Sequence, residues 1–312
     1  DERVAGEHEF AEMLQMQRPS IVVLYEDNFN FLSKMCLARM REAAITMVRM
    51  ARQAGCLVAA CGADVTDHAD VYLDAGVHVC FVGEGEHTMV EVLQRWRDTG
   101  APATFDDVAG AVTSTRPTTD HRAIERHPDV FGRPARDLVD IDAYRRAWVD
   151  HHGRFSLNMV STRGCPYKCN WCAKPIWGQR YAMRSPANVA EELAWVKQHL
   201  RPDHIWFADD IFGFRADWVE ELASHLKATD AGIAFTIQIR ADLISERMAA
   251  ALHREVFEET GWRIAAPRRV DEDTQLHQAR PGRSPSLSSA SIEVFQRNCT
   301  PRPAARRASS SV

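Results

Sequence analysis

Short apolar runs alternate with stretches of helical period along the first hundred residues. Ile21–Tyr25 (IVVLY) follows Pro19 and reads as a buried strand. Over Lys34–Ala54 the residues Met40, Ala44, Met47, Val48 and Ala51 recur at helical spacing, and Gly55 is the expected stop. Cys56–Cys61 (CLVAAC) and Val77–Val82 (VHVCFV) are two further buried-strand runs. The second ends in Gly83-Glu84-Gly85-Glu86, ahead of a helix near Thr88–Trp96. Strand–helix alternation predicts an α/β, doubly wound parallel sheet, in which ligands bind beyond the carboxyl ends of the strands. The 83–86 turn sits at such an end. Met40, Met47 and Met50 read as core packing rather than as a cofactor contact.

Residues 100–150 read as a connector, rich in turn residues and carrying FGRP before DLVDIDAYRRAW, with a small hairpin and a helix expected. A second strand–helix series begins at Phe155–Ser161. It continues with a helix at 188–200, a strand at 204–208, a helix at 216–227, a strand at 233–239 and a helix from Ile244.

Composition and charge change this picture in one place. The chain has 312 residues, 45% hydrophobic and 26% charged, with net charge −5. That is globular composition. It excludes a disordered chain and a small disulfide-stapled module, and it argues against a general nucleic-acid binder. No apolar stretch is long enough for a membrane span, and a cytoplasmic protein is expected, the sequence starting inside a domain. From Gly261 to Val312, however, nine Arg and four acids give +5, so residues 1–260 carry −10. Eight Ser and five Pro complete a tail expected to be disordered.

Eight cysteines are unevenly spread. Cys36, Cys56, Cys61 and Cys80 lie among apolar residues and Cys299 in the tail, whereas Cys165, Cys169 and Cys172 fall within eight residues. The run Arg163-Gly-Cys-Pro-Tyr-Lys-Cys-Asn-Trp-Cys172 is a C-x3-C-x2-C loop just after an expected strand. Three thiolates there can hold three irons of a 4Fe–4S cube and leave the fourth open to a chelating substrate. Two other readings stand beside it. A structural zinc site would need a fourth ligand, with His151 and His152 nearby, and a ferredoxin-type centre would have only remote Cys299.

The loop resembles that of radical S-adenosylmethionine enzymes in its spacing, in the aromatic Trp171 before the last cysteine, and in its place after the first strand of a βα barrel. The preceding region resembles the Rossmann-like cobalamin-binding domain joined to one branch of that family, which includes methyltransferases and the anaerobic magnesium-protoporphyrin monomethyl ester cyclase. VGEGEHTMVEVL (82–93), PARDLVDIDAYRRAW (134–148) and RGCPYKCNWCAKPIWGQRYAMRSP (163–186) carry that likeness, which covers about residues 19–252. It implies that Cys165, Cys169 and Cys172 ligate the cluster and that Trp171 lies against the adenine of S-adenosylmethionine. It also implies that a one-electron donor such as a flavodoxin or ferredoxin drives formation of a 5′-deoxyadenosyl radical. Asp209 and Asp210, ending the second barrel strand, are implied contacts to the methionine amino group, or else a helix cap. Arg240, ending the third, would meet a carboxylate or form a surface ion pair. Gly83, Glu84, Gly85 and Glu86 match the branch pattern and would let backbone approach a flat cobalamin macrocycle, or form a plain strand–helix turn. No Asp-x-His-x-x-Gly motif is present to ligate cobalt.

The expected organisation is a cobalamin-binding-like domain at 1–99 lacking its first strand, the connector at 100–150, and a partial radical barrel at 151–252. A divergent tail occupies 253–312. The tail opens on a segment resembling half of a Nudix box: Arg254, Glu255, Val256, Glu258, Glu259, Gly261 and Trp262 fit, and Glu246 lies eight residues before Arg254. Glu255, Glu258 and Glu259 would share a helix face and could hold Mg²⁺ against a diphosphate. The leading expectation is an incomplete copy of a radical enzyme for methyl transfer, rearrangement or cyclisation on an unknown substrate. A Mg²⁺-dependent diphosphate hydrolase and a non-catalytic iron–sulfur module are the alternatives.

Overall fold

The computed structural model describes residues 2–25, 37–167, 176–178, 180–240, 243–250, 262–264 and 289–296. The chain divides into two compact units. One comprises Asp1–Arg126 with Gly164–Ala182, and the other His127–Arg163 with Met183–Val312.

In the first unit, helix α1 (Glu2–Gln17) precedes strand β1 (Ile21–Tyr25), and α2 (Leu37–Gln53) leads to β2 (Leu57–Cys61). Two short helices, α3 (Ala63–Asp67) and α4 (Ala69–Asp74), lead to β3 (Val79–Phe81), α5 (Glu86–Thr99) and β4 (Ala111–Val112). The sheet order is β1-β2-β3-β4. The first three strands are parallel, with Ile21 opposite Leu57 and Ala59 opposite Val79. β4 is antiparallel to β3, so the connector region adds an edge strand to this sheet. Every residue of β2 is buried, as expected for a parallel strand covered on both faces. Val58 and Ala60 pack with Val48, Ala51 and Tyr72, while Leu57, Ala59 and Cys61 pack with Val92 and Phe105. Of the methionine stripe, Met50 packs against this core, but Met40 is 45% exposed.

In the second unit, α6 (Ile141–His152) is capped by Asp140, whose side chain accepts the Ala143 N–H. It leads to β5 (Ser156–Met159) and then to β6 (Thr162–Gly164). β6 ladders with β7 (Tyr181–Met183), and the stretch Gly164–Ala182 that runs from one to the other groups with the first unit. Helix α7 (Pro186–His199) starts at Ser185, whose hydroxyl accepts the Asn188 N–H, with Pro at the first helical position. β8 (His204–Phe207), α8 (Ala216–Ala228), β9 (Ala234–Arg240) and α9 (Glu246–Ala250) follow. β5, β8 and β9 are parallel neighbours, with Leu157 opposite Ile205 and Ile205 opposite Phe235. One sheet face packs Leu157, Met159, Ile205, Phe207, Phe235, Ile237 and Ile239 with Leu193, Trp218 and Leu222 of α7 and α8. Three expected strand–helix units are therefore present.

The tail departs from expectation. β10 (Trp262–Ile264) and β11 (Ser289–Gln296) join the second sheet, in the order β10-β11-β9-β8-β5. β11 lies antiparallel to β9, with Ile292 opposite Ile237. The cause is local. Ala290, Ile292 and Val294 alternate with Ser289, Ser291 and Glu293, a strand period enclosed in Arg-, Ser- and Pro-rich flanks. Among the described residues no helix is long and apolar enough to cross a membrane.

Candidate functional site

The cysteine loop begins where β5 stops. Beyond Met159 the chain leaves the sheet through Val160 and Ser161 into β6, which ends at Gly164. Gly164 has φ +75°, and a Cβ there would run into the carbonyl oxygen of Arg180. Arg163 lies over the Phe131 ring, 3.9 Å from its centroid. Cys165 follows, half-buried and in no disulfide. Cys169, Trp171 and Cys172 lie outside the described residues. Among the described residues no group of three His, Cys, Asp or Glu is placed to hold a metal. The donor set C-x3-C-x2-C, with its first thiol accessible just past a strand end, fits a thiolate-held iron–sulfur cluster.

The two acids just past β8 have opposite surroundings. Asp210 is exposed, while Asp209 is 1% exposed. One Asp209 oxygen accepts the N–H groups of Ser161 (2.8 Å) and Thr162 (2.9 Å), and the other accepts the Ser161 hydroxyl (2.5 Å). Burial pushes this carboxyl up to about 6 against the downward pull of those donors. Neither acid is a side-chain helix cap, since α8 begins at Ala216. Arg240 ends β9, half-buried, its backbone opposite Ser289.

At the carboxyl end of the first unit's strands, the four residues of the 83–86 turn have work within the chain. The Gly83 N–H donates to Thr66 Oγ1 (3.1 Å), and its open side faces the Ile176 carbonyl. Glu84 is 6% exposed. Its two oxygens accept the Glu125 N–H (2.8 Å) and the Trp177 indole N–H (3.3 Å). Gly85 lies under Cys61 and Phe81, and Glu86 opens α5 as the acid in its first turn. Gly85 is thus explained by packing within the chain and Gly83 by its backbone at φ +79°, and buried Glu84 and Gly85 offer no open surface to a flat macrocycle. Glu246 is exposed at the start of α9, Trp262 begins β10, and Arg254, Glu255, Val256, Glu258, Glu259 and Gly261 lie outside the described residues.

Several polar groups escape a reading of the sequence because their partners are distant in the chain. Buried Asp64 takes two bonds from Arg41 and one from the Tyr72 hydroxyl (2.8 Å). Burial alone would raise its pKa, but the guanidinium and hydroxyl outweigh it and hold the carboxyl below the ordinary range. Glu192 is buried between Arg136 and Arg184, which also donate to the carbonyls of Asn158 (3.1 Å) and Val160 (2.8 Å). Arg136 sits in the segment PARDLVDIDAYRRAW, the one sequence signal pointing to this cluster. His204 is buried between Ser156 and Thr236, at 2.8 and 2.9 Å. Burial, helped by the charge of Arg154, pushes it down to about 4.

Comparison with known proteins decides the class of the cysteine segment. The profile of the Radical SAM superfamily matches residues 159–258. The radical SAM match starts at the last residue of β5, contains all three loop cysteines, and continues through Arg254–Glu258 of the Nudix-like stretch. Over 178 residues the chain is 27% identical to an uncharacterized methyltransferase of Synechocystis sp., covering 55% of this chain and 28% of that protein. It is 25% identical over 185 residues to the hopanoid C-3 methylase of Methylococcus capsulatus, covering 58% and 32%. With the anaerobic magnesium-protoporphyrin IX monomethyl ester cyclase of Synechocystis sp. it shares 32% identity over 71 residues, covering 20% and 14%. The chain spans less than a third of the length of each relative it matches.

Proposed function

We propose that this chain is part of a radical S-adenosylmethionine enzyme whose cluster is held by Cys165, Cys169 and Cys172, and that its reaction is methyl transfer to a small-molecule substrate. The observation carrying the reading is the radical SAM match over 159–258, which encloses the C-x3-C-x2-C loop. Two relatives named as a methyltransferase and a methylase favour methyl transfer over cyclisation. When bound, the cluster supplies one electron for cleaving the sulfonium of S-adenosylmethionine. The chain's own residues position the donors. Gly164 turns the backbone into the loop, Arg163 is held on Phe131, and Cys165 presents a thiol for deprotonation. Trp171 offers a ring for adenine, exposed Asp210 a carboxylate for an ammonium, and Arg240 a cation for a carboxylate. A flavodoxin or ferredoxin would be the electron donor. No step is assigned to cobalamin, because Glu84 and Gly85 are engaged by contacts within the chain.

The test is anaerobic reconstitution of the full chain. About four irons per chain and release of 5′-deoxyadenosine under reduction are expected, both lost in Cys165→Ser. Iron uptake without nucleoside would reduce the chain to a non-catalytic iron–sulfur module. Stoichiometric zinc with no iron would defeat the proposal.

A further inference from the structure

Asp209 is buried, and among the described residues its hydrogen-bond partners are neutral groups, so something must account for keeping a carboxylate there. The account lies in the chain 48 residues earlier. β5 pairs with β8 up to Met159 opposite Phe207, and the Ala208 N–H extends the ladder once more onto the Met159 carbonyl (2.8 Å). At that point the chain swings off the sheet. Ser161 and Thr162, 0% and 2% exposed, carry amides that the ladder no longer serves. A buried amide without an acceptor is costly, and a carboxylate is the side chain that offers the most acceptor sites at once. Asp209 takes both amides and the Ser161 hydroxyl. The Ser161 carbonyl in turn accepts the Arg184 N–H (2.9 Å), so both backbone groups of Ser161 are fixed. Arg163, two residues on, stacks on Phe131, and Cys165 follows Gly164. The arm that delivers the first cysteine is thus tied at successive residues, with Asp209 at its root.

We propose that Asp209 is a positioning residue, which fixes the departure of the chain from β5 and thereby the placement of Cys165, and does not itself contact cofactor or substrate. This deepens the reading of 159–258 as a cluster-binding segment and rests on it. Asp210, exposed beside it, is the acid of the pair that faces solvent. Charge-assisted bonds to two adjacent amides hold direction as well as distance, which a single neutral bond would not.

The experiment compares Asp209→Ala, Asp209→Asn, Ser161→Ala and Asp210→Ala in the full chain, first without metal. Hydrogen exchange at the Ser161 and Thr162 amides is expected to accelerate about tenfold or more in Asp209→Ala, the loss of roughly one charge-assisted bond. Amides at the centre of β9 should keep their wild-type rates, and alkylation of Cys165 should quicken. Asp209→Asn retains an acceptor and should stay within about threefold of wild type, with Ser161→Ala between the two. Asp210→Ala should leave exchange and alkylation unchanged. After reconstitution, Asp209→Ala should show an altered electron-resonance signal of the reduced cluster, restored in Asp209→Asn. Unchanged exchange at 161–162 in Asp209→Ala, together with lost S-adenosylmethionine binding, would make Asp209 a ligand contact and overturn the proposal. If wild type binds no iron yet the exchange and alkylation pattern appears, the functional reading falls while the positional role of Asp209 is supported.

Discussion

The two units finish the ends of their parallel strands by different physical means. In the first, closure is steric: Gly85 lies under Cys61 and Phe81, and in the stretch Gly164–Ala182 that groups with this unit Gly164 lies against the Arg180 carbonyl. In the second, closure is polar: Asp209, just past β8, collects the amides of Ser161 and Thr162, and at the opposite, amino ends of the strands His204 bridges Ser156 and Thr236. A steric closure admits no added atom and ignores pH. A polar closure tolerates an isosteric change but responds to protons. Each half of that contrast can be broken by measurement.

The largest effect is expected at Gly164. Alanine there must take a left-handed backbone at φ +75° and place its Cβ against a carbonyl oxygen that cannot rotate away. The conformational part costs about 1–2 kcal/mol and the overpacking about 1–3 kcal/mol. A loss of roughly 3 kcal/mol or more in urea unfolding should follow. A loss below about 1 kcal/mol would mean that this turn is not sterically closed.

Next in size is the pH response of the second unit, where two buried groups act in opposite directions. Asp209 is raised to about 6 from 3.8, so its contribution is fully present below pH 3.8 and is lost as pH rises through 6. His204 is lowered to about 4 from 6.5, so its contribution is present above pH 6.5 and is lost as pH falls through 4. Each is of order 3 kcal/mol across its window, and in wild type they largely cancel. Asp209→Asn should leave the histidine slope, with stability rising from pH 4 to 6.5. His204→Gln should leave the aspartate slope, with stability falling from pH 4 to 6. Urea midpoints across this range check both signs, and equal slopes in the two variants would contradict the assignment.

These sites also show what a sequence can carry. The strands β1–β3, β5, β8 and β9 were legible because apolar runs bounded by Gly or polar turns have no other economical reading. The C-x3-C-x2-C spacing stands out in the sequence because ligand chemistry would impose it locally, and the radical SAM match encloses it. α1 has no apolar stripe to announce it, β4 is two residues long, and β11 is hidden by its flanks. The placement of Gly164–Ala182 with the first unit depends on partners such as Glu84 and Trp177, 93 residues apart. Asp209 and Asp210 are identical letters side by side. Only their opposite burial, one inward and one outward just beyond β8, separates their roles, and no local pattern encodes the amides waiting at 161 and 162.

The smallest effect gives the sharpest check on steric closure. Gly85 has an ordinary backbone, φ −89° and ψ −16°, so alanine there pays no conformational penalty. What excludes a side chain is Cys61 Sγ, with the Phe81 Cβ next at 3.4 Å. Gly85→Ala should therefore cost about 2 kcal/mol as overpacking. Cys61→Ala alone removes a buried sulfur and should cost about 1 kcal/mol. Because the thiol is a side chain and the Arg180 carbonyl is not, the first clash can be relieved and the second cannot. The double variant should recover about 1–2 kcal/mol relative to the sum of the singles, whereas sites not in contact add within about 0.5 kcal/mol. Additivity at Gly85 and Cys61 would mean that glycine is held there for some reason other than the thiol, and the steric account of the first unit would lose its clearest case.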